Sequence, residues 1–108
     1  MTTRATFKQD VESYLLTVGA RRWTGPAADL LGYEFVLPTT LGELWVIVYD
    51  DMIACRWGNV KKALAAGLCV NPYTGKWNFH IATQHCQNAP TATLAIFQAE
   101  ASSFLPPA

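Results

Sequence analysis

The side chains best suited to chemistry in this 108-residue chain are aromatic and cationic residues that alternate in its second half. Arg56-Trp57 and the segment 71–80 place tyrosine, tryptophan and phenylalanine beside arginine, lysine and histidine. Protein interfaces use such residues as anchors, and single-stranded nucleic-acid platforms use them to stack on bases and to meet phosphates. The pattern predicts a binding surface, unless the aromatics belong to the core. Its predicted members are Arg56, Trp57, Lys61, Lys62, Tyr73, Lys76, Trp77 and His80.

Charge is segregated along the chain, although eight basic and eight acidic side chains sum to zero. Residues 29–51 contain five acids and no base, whereas residues 52–99 contain four bases and no acid. The acidic pair Asp50-Asp51 is therefore predicted to lie on a turn opposed to the basic surface and to belong to the same binding site. Such polarity orients the encounter with a charged partner. If the strands mix these charges in space, the polarity disappears.

Cysteine and histidine offer a second kind of chemistry. Cys86 lies beside His85 and ahead of a predicted helix, and a thiolate nucleophile needs such an imidazole or helix terminus, with His80 as another candidate base. However, residues 52–99 hold no acid to orient a histidine, and Asp50-Asp51 suit turn geometry better than acid–base catalysis. The sequence therefore favours a non-catalytic protein without a cofactor, and a small Cys/His-dependent enzyme is the remaining alternative.

Zinc is the metal that the ligand types would suit. Structural zinc sites place their ligands in close pairs, and only His80 and His85 approach that spacing. Cys55 falls in a predicted strand and Cys69 stands alone after a predicted helix, as small core residues often do. No metal site is predicted.

Length and composition indicate one folded domain over residues 1–108. Hydrophobic residues make up 51% of the chain and charged residues 15%, which excludes a disordered chain. A net charge of zero argues against binding to nucleic acid or membrane through bulk electrostatics alone.

The sequence also predicts a cytoplasmic location. Its first residues alternate charged and apolar side chains, unlike a secretory signal. The longest apolar run, Leu44 to Tyr49, has six residues, against the roughly 20 that a membrane-spanning helix needs. An odd number of cysteines, three, suits a reducing compartment.

Helical periodicity predicts a first helix over residues 6–18, with a capping box formed by Thr6 and Gln9. Pro26 opens a short helix over residues 27–31. Asn59 is a natural N-cap for a helix over residues 60–66, with Val60 and Leu64 facing inward. A terminal helix begins at Pro90.

Three aromatic and β-branched runs, at residues 33–37, 44–49 and 52–57, predict a three-stranded antiparallel meander. A turn over 71–75 leads to a fourth strand over 76–81. The order helix, short helix, three-strand meander, helix, strand, helix predicts an α+β fold, with a four-stranded, mainly antiparallel sheet and helices packed on one face. The middle run is apolar on both faces, so a homodimer is a further possibility.

These features together predict a small non-catalytic module that binds another macromolecule. A protein partner is favoured, which would make the domain an inhibitor, an adaptor or a subunit. Single-stranded nucleic acid, bound through the same tryptophan, tyrosine, lysine and arginine residues, is the alternative.

Overall fold

The computed structural model describes residues 2–68, 70–77 and 90–106. Its helices in chain order are α1 (Phe7–Thr17), a 3-10 helix (Ala27–Leu30), α2 (Val60–Ala65) and α3 (Pro90–Ser102). Its strands are β1 (Arg21–Arg22), β2 (Phe35–Thr39), β3 (Gly42–Val48), β4 (Ile53–Trp57) and β5 (Lys76–Trp77). Within this part of the chain, no helix combines the length and the apolar character needed to cross a membrane.

The described strands form one antiparallel sheet in the order β1-β2-β3-β4-β5, so each strand pairs with the next one in sequence. The predicted α+β fold is confirmed. Strand β1 was not predicted, because the polar residues Arg21 and Arg22 indicate a connection rather than a strand. Their backbones pair with Val36 and Phe35, and the guanidinium carbon of Arg22 lies 4.8 Å from the centroid of the Phe35 ring. Strand β1 contributes no apolar side chain of its own.

The three α-helices of the described residues pack on one face of the sheet, here called the inner face, as predicted, while the short 3-10 helix Ala27–Leu30 lies on the other side. The alternation along β3 and β4 sends every second residue to this side, where it meets the buried stripe of each helix. The main core residues are Phe7, Val11 and Leu15 of α1, Ala63 of α2, Phe97 and Ala101 of α3, and Phe35, Leu37, Leu44, Val46, Val48, Ile53, Cys55 and Trp57 of the strands.

Two local predictions about the helices are wrong. Thr6 has a helical backbone, and its side chain makes no capping bond: its hydroxyl accepts from Thr3 N at 2.9 Å and donates to Asp10 Oδ2 at 3.0 Å. Leu64 is 42% exposed, and Ala63 is buried in its place. Residues three and four positions apart both neighbour each other on a helix, and here Ala63 rather than Leu64 joins Val60 on the side that contacts the core.

The opposite side of the sheet, here called the outer face, carries a second and smaller apolar cluster. Leu30, Tyr33 and Val36 are its buried members. Its half-buried members are Trp23, Trp45, Ile47 and Ala54. The segment 23–33 therefore covers part of the outer face and explains much of the apolar character that the sequence analysis found on both faces of β3.

Candidate functional site

A single row of directly opposed residues crosses the outer face. Each residue of the row pairs with the next across the ladder, and opposed residues project their side chains from the same face of a sheet. The row therefore brings three cations and one tryptophan to one line on the outer face. In spatial order the row is Arg21, Val36, Trp45, Arg56 and Lys76.

Arg56 lies at the centre of the basic part of this row. Its guanidinium carbon is 5.6 Å from the ring centroid of Trp45, which is a cation–π distance. The Nε atom of Arg56 is buried and has no hydrogen-bond partner among the residues that the structure describes. Tyr33 lies close enough to feel the same charge: burial raises the pKa of its hydroxyl, and Arg56 partly offsets that rise. The Trp45 ring thus positions the Arg56 cation, whose Nε–H group makes no hydrogen bond within the described residues.

Glu43 neutralises the other end of the row. Its carboxylate accepts from Arg21 Nη2 at 3.3 Å and from Trp45 Nε1 at 3.5 Å. On the outer face, Glu43 therefore offsets the charge of Arg21, and the charges of Arg56 and Lys76 have no ion-pair partner among the described residues.

Arg56 and Lys76 carry like charges at directly opposed positions. All eight aspartates and glutamates of the chain belong to the residues that the structure describes. Among those residues the ion pairs are Arg21–Glu43 and Arg22–Glu12. No side-chain carboxylate of the protein therefore neutralises the Arg56/Lys76 pair.

The predicted turn before β5 is present and is held by Asn71. Its Oδ1 atom accepts from the backbone N–H of Tyr73 at 2.9 Å and of Thr74 at 3.1 Å, while its carbonyl accepts from Gly75 N at 2.8 Å. This arrangement leaves Tyr73 93% exposed, directly ahead of Lys76. The turn therefore adds an exposed aromatic side chain three positions before Lys76.

Trp57 does not belong to the surface, so its assignment to the binding site is wrong. It is fully buried, and its ring packs edge-on against Phe104 with 5.4 Å between centroids. The reason is the alternation of β4, which sends Trp57 to the inner face and its neighbour Arg56 to the outer one. The aromatic side chain that contacts Arg56 is Trp45 and not Trp57. The sequence signal for Trp45 was the apolar outer face of β3.

The remaining predicted site residues lie in three places. Lys61 and Lys62 are exposed on α2, and the backbone of Trp77 pairs with Cys55 on β4. His80 lies outside the described residues, as do Cys69, His85 and Cys86 of the zinc and nucleophile hypotheses.

Asp50 and Asp51 are exposed in the turn between β3 and β4, which the bond from Tyr49 N to the Met52 carbonyl closes at 2.8 Å. Neither carboxylate forms an ion pair with a cation of the described chain. The turn lies at the end of β4 remote from Arg56. The β3–β4 hairpin therefore has one acidic end and one basic end.

Cys55 is unsuited to act as a nucleophile. It is buried on the inner face, and burial raises the pKa of its thiol well above the usual value of 9.0, so the thiol stays neutral. Within the described residues, no group of three or more histidine, cysteine, aspartate or glutamate side chains comes together to hold a metal ion.

Comparisons of this chain with protein-family models, with curated proteins and with solved structures found no match. Its function is therefore inferred from its own residues and their placement.

Proposed function

We propose that this protein is a small non-catalytic binding module that recognises the acidic surface of a protein partner. The contact surface consists of Trp45, Arg56, Tyr73 and Lys76. The observation that carries the proposal is the opposed pair Arg56 and Lys76, which forms no ion pair with a side-chain carboxylate of the chain. We also propose a cytoplasmic location, which suits the free thiol of Cys55.

The energetics favour a partner of negative charge. Like charges directly opposite each other in a sheet are destabilising, so Arg56 and Lys76 cost the isolated domain some stability. A carboxylate from a partner would relieve that repulsion and accept hydrogen bonds from the guanidinium of Arg56. Trp45 and Tyr73 add the aromatic area that interface anchors provide.

A protein partner fits this surface better than single-stranded nucleic acid does. A nucleic-acid strand needs a continuous line of basic side chains for its phosphates. Here the negatively charged carboxylate of Glu43 interrupts that line, because it contacts Arg21 and Trp45. Phosphates passing along the row would meet that carboxylate. Lys61 and Lys62 add exposed charge on α2, yet the chain as a whole is neutral.

The test compares two charge-matched variants in the native host. In Arg56→Gln/Lys76→Gln, the surface loses two positive charges. In the control Arg4→Gln/Lys8→Gln, the same charge is removed at the start of α1, which packs on the inner face. We expect at least one protein to co-purify with the wild type and the control but not with the surface variant. Purified, that protein should bind the surface variant at least about tenfold more weakly.

Two results would overturn the proposal. One is a set of co-purifying proteins that is the same for all three forms. The other is a fluorescence titration in which oligonucleotides bind the purified domain at low salt, lose affinity steeply as salt rises and fail to bind the surface variant. That outcome would replace the protein partner with single-stranded nucleic acid.

A further inference from the structure

We infer that one partner of this surface is a second copy of the same chain, bound face to face across the β3–β4 hairpins. The inference rests on the proposed function, because it assigns a partner to the same basic pair. It starts from the two ends of the hairpin. Asp50 and Asp51 form the acidic end, while Arg56 and Lys76 form the basic end. Arg56 lies five positions after Asp51, at most about 17 Å away at about 3.3 Å per residue of extended chain.

An apolar centre lies between these two charged ends. Ile47 and Ala54 are directly opposed on the outer face, and both are half-buried. The half-buried Trp45 flanks them on the basic side, and Tyr49, 45% exposed, follows β3 on the acidic side. The segment 23–33 packs against this centre without burying it completely. Further apolar contact is therefore available in the middle of the hairpin.

Charge selects one way of pairing two such surfaces. Two copies can meet face to face about a two-fold axis that lies in the interface plane, either along the strands or across them. An axis along the strands would place acidic end on acidic end. An axis across the strands, above Ile47 and Ala54, reverses the strand direction, so the acidic turn of each copy meets the basic pair of the other. Such an isologous interface forms its charge contacts twice around one apolar centre.

The charges at the two ends match in number. Each acidic turn offers two carboxylates, and each basic pair offers two cations. None of the four groups has an ion-pair partner among the residues that the structure describes within one copy. Dimerisation would therefore neutralise charges that the monomer leaves exposed, and the repulsion between Arg56 and Lys76 would fall.

A charge-swap experiment tests this pairing. One variant is Asp50→Lys/Asp51→Lys and the other is Arg56→Glu/Lys76→Glu. Each alone places like charges at both ends of the interface, so each should dissociate at least about tenfold more readily than the wild type in sedimentation velocity. An equimolar mixture restores opposite charges at both ends, and native mass spectrometry should show a heterodimer of one copy of each variant. Arg4→Glu/Lys8→Glu is the control and should dimerise as the wild type does.

Circular dichroism shows whether each variant folds, and Asp50→Asn/Asp51→Asn provides a milder change at the acidic turn. A wild type that stays monomeric at its highest soluble concentration would contradict the inference, as would a mixture no more dimeric than its separate components. If the protein is monomeric while a host protein still depends on Arg56 and Lys76, the dimer is wrong and the binding module stands. If the dimer forms and no host protein depends on Arg56 and Lys76, the dimer stands and the binding of a host protein is wrong.

Discussion

The guanidinium of Arg56 lies over the ring of Trp45, its directly opposed neighbour on β3, with 5.6 Å between the guanidinium carbon and the ring centroid. The contact holds the cation on the outer face, between the tryptophan and Lys76. A positioned arginine loses less conformational entropy when it binds a carboxylate than a free one would. The arrangement thus favours binding as well as local stability.

A double-mutant cycle measures this contact. Arg56→Gln and Trp45→Leu each remove one partner, and the double variant removes both. We expect a coupling energy of about 0.5–1 kcal/mol in the free energy of unfolding, as is typical of a partly exposed cation–π pair. Urea denaturation followed by circular dichroism gives the four values. Additive losses would show that the contact contributes nothing to stability.

Gly75 is expected to be intolerant of a side chain. Its φ is +70°, and an added Cβ would lie 2.9 Å from Val60 Cγ2 and 3.0 Å from the Trp57 carbonyl oxygen. Gly75→Ala should therefore lower the free energy of unfolding by about 2–4 kcal/mol, from left-handed strain plus overpacking.

Gly67→Ala is the matched control for Gly75. Gly67 has a φ of +84° but nothing within 4 Å of the added Cβ, so only the backbone strain remains. Its cost should be about 1–2 kcal/mol. Equal losses at the two glycines, measured by urea denaturation, would show that the close packing at Gly75 is unimportant.

Asn59 caps α2 through one bond, in which its Oδ1 atom accepts from Lys62 N at 3.1 Å. Asn59→Ala removes the acceptor and should cost about 1 kcal/mol in thermal or urea unfolding. Asn59→Asp keeps an acceptor in the same place and should be nearly neutral. If both variants lose the same stability, the amide group of Asn59 matters for another reason.

Alkaline pH is expected to destabilise the fold through Cys55. Burial raises the pKa of this thiol above the usual 9.0, so the unfolded chain releases the proton at a lower pH than the folded protein does. The stability is therefore present in full below pH 9 and declines as pH rises through the folded pKa, by up to about 1.4 kcal/mol per pH unit.

Cys55→Ala isolates this contribution, because the other two cysteines remain in both proteins. The slope of unfolding free energy against pH above 9 should be shallower in the variant. Tyr33 acts in the same direction above its ordinary pKa of 10.0, so a residual slope is expected there. Identical slopes over pH 9 to 10 would mean that the Cys55 thiol ionises equally well in both states.

Features that depend on near neighbours in the chain can be predicted from the amino-acid sequence alone. Periodicity located α1 and α3, the side chain of Asn59 predicted the start of α2, and the turn residues around Asn71 marked the approach to β5. These signals are readable because the interactions behind them span only three or four residues. The α+β class followed from their order.

Which aromatic side chain joins the basic pair depends on long-range packing, which the sequence pattern does not reveal. Strand alternation already required Arg56 and Trp57 to project from opposite faces, but the face that becomes the core depends on where the helices pack. Docking of the α-helices on one side buried Trp57, and the β3–β4 register placed Trp45 beside Arg56. Cross-strand pairing joins residues far apart in sequence, so the opposition of Arg56 and Lys76, twenty positions apart, was set by the folded sheet.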